Sequence, residues 1–311
     1  MDNGPRPSRT ALVTCLMRAL HTKYDRPALI EDAWADHLLT PEDRNELAAA
    51  AMGAAPAAER ERLLAAAAGD FVLHAAWRST GVYGGVVIRT RYAEEQVEAA
   101  AARGVRQYVI LGAGLDSFGM RQPALARNMQ VFEVDHPASQ DLKRSRLSAS
   151  GAAVPPTLHF VPADLGMEEL GAALGRSAFR SDEPAILSWL GVTVYLTREA
   201  NLATLRSIAE VTAAGSELVF TYVEQRALDS PTPVMEKALA GVSAIGEPWL
   251  SGFDSATLSE QLRKLGLTCV EDLGGRELHR RYCAGRTDGL TPGRAGRMAR
   301  ARTVGAADRV T

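Results

Sequence analysis

The chain has 311 residues, 46% of them hydrophobic and 23% charged, with a formal net charge of −2, enough to bury a full core and too balanced to suggest nucleic acid or an anionic membrane as partner. Three widely spaced cysteines, Cys15, Cys269 and Cys283, argue against a disulfide framework or zinc knuckle and suggest a reducing compartment. Residues 1–10 carry no apolar signal core, and no segment is long and apolar enough to span a bilayer, so a cytoplasmic protein is expected. The first zone, 1–104, is alanine-rich and helical in period, with helices expected over 10–21, 33–39, 47–68, 71–77 and 92–103 as a cap. Pro41 follows Thr40, with Glu42 and Asp43 in the next turn, the pattern of a helix start. His74 and Trp77 share one helical face, which reads as packing.

The middle zone alternates strands at 107–112, 130–135, 158–161, 185–190 and 217–222 with helices near 118–127, 137–149, 167–175 and 198–213. Such alternation, with continuous apolar strands, specifies a doubly wound, mostly parallel α/β sheet covered on both faces, its ligand outside the carboxyl ends of the strands. A connection over about 223–253, with Pro231, Pro233 and Gly246-Glu-Pro-Trp249, reads as a lid insertion. A helix near 255–265 and strands near 267–272 and 279–283 would complete a core domain of 105–290. The Gly-, Pro- and Arg-rich segment 291–311 is expected to be a partly disordered tail.

The chemistry concentrates in Tyr108-Val-Ile-Leu-Gly-Ala-Gly-Leu-Asp116 and Val131-Phe-Glu-Val-Asp135. A glycine turn after one strand and an acid at the tip of the next form a site for a ribose-bearing cofactor. The third glycine of a dinucleotide fingerprint is displaced to Gly119, and Asp116 stands where a pyrophosphate would meet a helix start. A carboxylate there suits a cationic amine, and S-adenosylmethionine (SAM) has an amine, a ribose and no phosphate. Asp135, last on its strand, is favoured for the ribose, with Glu133 as competitor. The six histidines show no metal spacing, and Ser188 lacks a nucleophile elbow.

Together these motifs resemble the leucine carboxyl methyltransferase-like family of class I SAM-dependent methyltransferases, in its actinobacterial branch. The matching stretches are Ser8-Arg-Thr-Ala11, Ile88-Arg-Thr-Arg91, Val109-Ile-Leu-Gly-Ala-Gly-Leu-Asp116, Phe132-Glu-Val-Asp-His-Pro137 with Lys143, Phe160-Val-Pro-Ala-Asp-Leu165, Ser188-Trp-Leu-Gly-Val-Thr-Val-Tyr-Leu196 and Arg281-Tyr-Cys-Ala-Gly-Arg-Thr-Asp-Gly-Leu290. The resemblance implies a seven-stranded Rossmann-like methyltransferase sheet. It also implies that Arg89 holds the methionine carboxylate of SAM, with Arg91 the alternative. Gly112, Ala113 and Gly114 would line the methionine portion, with Asp116 nearby; Asp135, beside His136, would bind the ribose; Asp164 and Leu165 would meet the adenine. Leu190 belongs to the same lining, where relatives acting on protein C-termini carry glutamate, and this departure points away from a protein substrate.

The implied activity is O-methylation of a carboxylate, or a hydroxyl, of a small molecule. A carboxylate is ionised near neutral pH and requires no base; a phenol or alcohol would, with His136 or Tyr222 as candidates. Tyr83, Tyr195, Trp249 and Phe253 are candidate substrate walls. Two other classes use the same sheet: a nicotinamide-dependent oxidoreductase and a non-catalytic SAM-binding protein.

Overall fold

The computed structural model describes residues 8–54, 69–78, 82–244, 246–293 and 295–305. Five helices come first: α1 (Arg9–Tyr24), α2 (Trp34–His37), α3 (Pro41–Ala54), α4 (Asp70–Arg78) and α5 (Tyr83–Ala102). Ser8 caps α1, its hydroxyl accepting from the Ala11 N–H at 3.2 Å. The helix expected over 47–68 overlaps α3, and residues 55–68 lie outside the described residues.

The α/β region follows: β1 (Gln107–Leu111), α6 (Phe118–Arg121), α7 (Pro123–Ala126), β2 (Gln130–Asp135), α8 (Pro137–Ala149), β3 (Leu158–Pro162), α9 (Leu170–Gly175), β4 (Ala185–Trp189), α10 (Arg198–Val211) and β5 (Glu217–Val223). After it come α11 (Gln225–Asp229), α12 (Pro233–Ala244), α13 (Leu258–Lys264), β6 (Leu267–Leu273), α14 (Gly275–Tyr282) and β7 (Gly296–Thr303). The strands form a seven-stranded sheet in the order β3-β2-β1-β4-β5-β7-β6, parallel throughout except for β7, which runs antiparallel to both neighbours. Chain order reverses between β1 and β4, which places a crevice beyond their carboxyl ends.

Period-two alternation explains why the strands read as unbroken apolar runs. Tyr108, Ile110, Val131, Ile186 and Val219 pack on the N-terminal helices, while Val109, Leu111, Phe132, Val134, Leu187 and Trp189 pack on α9, α10 and α13. Among the described residues, no helix is long and apolar enough to cross a membrane.

Three expectations are corrected. The helix expected from residue 92 begins at Tyr83, because Gly84, a local breaker, fits a close approach to the Thr291 backbone, whose carbonyl carbon would lie 2.9 Å from an added Cβ. The strand expected near 279–283 is α14 and its end, which buries Leu278 and Tyr282 one turn apart. Residues 296–303, read as tail, form β7 between β5 and β6, and residues 306–311 lie outside the described residues. The arginines that made this stretch look solvated are ion-paired: Arg297 with Asp272 at 3.1 Å, Arg300 and Arg302 with Glu217 at 3.2 and 3.0 Å.

Candidate functional site

Two left-handed glycine turns meet where β1 and β4 end. Gly112 and Gly114 have φ of 65° and 52°, and Gly191 has φ of 72°, a region that side chains disfavour. A Cβ on Gly112 would overlap Val192, one on Gly191 would lie 2.7 Å from Cζ of Arg89, and one on Gly114 would lie 3.0 Å from Cβ of Ala11. The result is a backbone-lined cradle with a guanidinium on one wall and the start of α1 above it.

The acid at the tip of β2 reaches this cradle. Asp135 accepts from the Gly114 N–H through Oδ2 and from the His136 N–H through Oδ1 at 2.6 Å. Burial raises its pKa, and these backbone donors oppose the shift. Its competitor Glu133 is placed elsewhere: fully buried, it contacts the Lys143 ammonium of α8. Lys143 lies 5.9 Å from the ring centroid of Phe160.

Arg89 lies on α5 with its guanidinium against Gly191, and among the described residues no carboxylate pairs with it. Burial pulls its pKa down to about 10; Tyr195 opposes the shift and the like charge of Arg18 adds to it. Arg91, two residues on, is instead paired with Glu95 at 3.0 Å on the opposite side of the helix. Of the two arginines in the motif, only Arg89 is available to an anionic ligand.

Asp116 accepts from the Phe118 N–H at 2.7 Å and starts α6. Beneath it runs a buried charge network with no signature in the sequence beyond an arginine in an apolar helix face. Arg18 of α1 donates to the Leu115 carbonyl at 2.6 Å and to Asp32 at 2.8 Å; Ser117 donates to the same Asp32 at 2.6 Å. Arg121 is clamped to Glu94 and touches Ser117 at 3.0 Å. Through Arg18 the N-terminal helices hold the glycine turn directly.

Asp164, after β3, is exposed and accepts from the Gly166 N–H at 2.9 Å, which closes a local turn. Leu165 beside it packs on the core, and so does the half-buried Leu190; Ala113 is buried within the glycine turn.

Several candidates are engaged in structural contacts. His136 is the N-cap of α8, its Nδ1 accepting from the Ala138 N–H at 3.2 Å. The Tyr222 hydroxyl donates to Asp272 at 2.8 Å and accepts from Arg297 at 2.9 Å, and burial followed by the Asp272 charge pushes its pKa up, so it is no proton acceptor. Tyr83 is 1% exposed, with its hydroxyl bonded to Asp25 at 2.9 Å; Phe253 is also 1% exposed and packs edge-on against Phe220 and Tyr222. Both belong to the interior and are not walls, because an aromatic near a crevice in sequence is equally suited to the core behind it. Tyr195 and Trp249 remain partly exposed; Tyr195 lies near Arg89, and the indole nitrogen of Trp249 is buried without a hydrogen-bond partner among the described residues. Among the described residues, no cluster of His, Cys, Asp or Glu is arranged to hold a metal ion.

A YktD protein of Bacillus subtilis (strain 168), named as an S-adenosyl-L-methionine-dependent methyltransferase, is 30% identical over 296 residues, covering 91% of this chain and 94% of its own. A Mycobacterium avium (strain 104) protein of the same designation is 31% identical, covering 79% of this chain and 74% of its own. The fold matches the crystal structure of a protein from Thermobifida fusca YX titled as a methyltransferase, with a TM-score of 0.60, 18% identity and 96% of each chain covered. The family model described as leucine carboxyl methyltransferase matches residues 11–209, a span that holds all but the first two residues of α1, the glycine turns, Arg89, Asp135 and Asp164. The chain therefore belongs to the leucine carboxyl methyltransferase family, whose members are SAM-dependent methyltransferases.

Proposed function

We propose that this SAM-dependent methyltransferase is an O-methyltransferase acting on a small molecule, with a carboxylate as the acceptor. The observation that carries the cofactor site in this reading is Arg89, a desolvated guanidinium without a partner among the described residues, laid on the glycine backbone where β4 ends. A buried cation in that state suits an anionic ligand group, here the methionine carboxylate of the cofactor. Gly112, Ala113 and Gly114 let the backbone line the methionine portion, with Asp116 near its amine; Asp135 is the acceptor for ribose hydroxyls; Asp164 and Leu165 flank the adenine. When bound, SAM supplies an activated methyl group. The protein's contribution is position and exclusion of water, and holding the acceptor in line with the methyl accounts for as much as roughly 7–11 kcal/mol in the best oriented reactions.

The positions of the two candidate bases support a carboxylate over a hydroxyl. His136 is a helix cap and Tyr222 is hydrogen-bonded on both sides, whereas a carboxylate is ionised near neutral pH without help. Leu190, in place of a carboxylate side chain, removes a polar contact suited to a peptide terminus and favours a small acceptor.

The test is transfer of labelled methyl from SAM to a panel of carboxylic and phenolic metabolites, followed by mild alkali. Label released as methanol identifies an ester and a carboxylate acceptor; alkali-stable label would overturn the choice in favour of a hydroxyl.

A further inference from the structure

Residues 246–253 run as a strap between two parts of the fold that flank the crevice, and its two ends are held differently. The distal end is fixed by main-chain bonds. The Leu250 N–H donates to the Val194 carbonyl at 2.6 Å and the Phe253 N–H to the Val223 carbonyl at 3.0 Å, while the Gln225 N–H donates to the Phe253 carbonyl at 2.9 Å. Ser251 adds a bond to the Leu196 carbonyl at 2.8 Å and accepts from Asn201 at 2.9 Å. Phe253 then anchors this end in the core.

At the proximal end the main-chain bonds stay local, from the Gly246 N–H to the Ser243 carbonyl and from the Glu247 N–H to the Val242 carbonyl, each at 3.0 Å, and one side chain makes the contact across the fold. Glu247 grips the start of α1: Oε1 accepts from the Arg9 N–H at 2.6 Å, and Oε2 from the Thr10 N–H and the Ser8 hydroxyl, each at 3.3 Å, and from the Thr10 hydroxyl. A carboxylate at a helix start is favoured by the exposed N–H groups and the positive end of the dipole. The Arg9 contact is exposed, so water can replace it. Helix α1 begins directly over the glycine turn, with Ala11 against Gly114. Between the two anchors stands Trp249, its indole nitrogen buried without a hydrogen-bond partner among the described residues.

We propose that Glu247 is a positioning residue whose grip on the start of α1 keeps this strap closed across the cofactor crevice, and that its release controls the departure of S-adenosylhomocysteine (SAH) after methyl transfer. The asymmetry assigns the moving end: the main-chain bonds of Gly246 and Glu247 reach only their neighbours in sequence, so the side-chain contact to α1 can open while the main-chain bonds across the fold at 250–253 act as the hinge. The proposal rests on the cofactor site assigned above.

The experiment loads the full-length protein with labelled SAH, chases with excess unlabelled SAH, and follows loss of label, with thermal unfolding of each variant alongside. Glu247→Ala is expected to release SAH about tenfold faster, from loss of a charged helix-end partner, and Glu247→Gln, which keeps the shape, to release it at an intermediate rate. Adding Thr10→Val to Glu247→Ala should change little further, since both break one contact. Release from both Glu247 variants within twofold of the wild-type rate overturns the strap, and so does a Thr10→Val effect that adds in full. If Glu247→Ala does not fold, the rate in Glu247→Gln decides. Asp135→Ala separates the two readings: weakened equilibrium binding of SAH keeps the site whatever the Glu247 result, and unchanged binding removes the site itself.

Discussion

Arg89 and Arg91 show how much two positions on one helix can differ. Successive residues on a helix are separated by about 100°, so side chains two apart face nearly opposite ways. Arg91 finds Glu95 one turn along, and Arg89 is turned inward onto Gly191. The motif named both; only the helix phase against the sheet separates them. Burying a cation without a partner is costly. Replacing Arg89 with methionine should therefore weaken SAH binding by about 1.5–3 kcal/mol, the worth of a charged hydrogen bond, without lowering the melting temperature. Calorimetric titration and a thermal scan check both halves; a lower melting temperature with unchanged affinity would make Arg89 structural.

Strand β2 separates two acids by the same logic with a period of two. Glu133 and Asp135 point to the same face, but Asp135 lies at the strand's end, where the glycine turn meets it, and Glu133 lies one step inside. There the packing of α8 seals Glu133 with Lys143, and burial pushes the Glu133 pKa up to about 7, with Lys143 opposing. The folded state then holds this proton more tightly than the unfolded chain does. Its contribution is fully present below about pH 4.5, the usual value for the group, and is lost as pH rises through about 7. Over that window stability should fall by on the order of 3 kcal/mol from this group. Denaturant titrations at several pH values check it: the double variant Glu133→Gln/Lys143→Met, which replaces the buried pair, should lose this part of the slope, and an unchanged slope would assign it to other groups.

For the fold as one body, the crevice exists because chain order reverses between β1 and β4, and it is finished by segments remote in sequence. Helix α1 covers the glycine turn and supplies Arg18 beneath it, while residues 246–253 pass from α1 to the turn after β4. The sheet depends as much on its last strand. β7 fills the gap between β5 and β6 and pairs with each along its length. Truncation after Thr291 would leave two strand edges unpaired and Glu217 without Arg300 and Arg302. The shortened protein should lose its cooperative thermal transition and bind no SAH, as circular dichroism and titration would show; a cooperative transition near that of the full chain would mean β7 is dispensable.

The α/β alternation, the cofactor class and the position of the acid at the tip of β2 were legible because each rests on a local rule: apolar runs covered on both faces, a glycine turn leaving a strand, and an acid at a strand tip. The start of α5, the helix at 275–282 and the strand at 296–303 were not, because a glycine tolerated only by a close neighbour and arginines neutralised by distant acids look like loop or tail until those neighbours are in place. The same holds for Tyr83, Tyr222 and Phe253, whose side chains turn inward to partners from other elements. Periodicity is a property of neighbouring residues and can be read along the chain; burial of a charge and the pairing of one element's side chain with another's depend on contacts across the fold, and these exist only once the chain has packed.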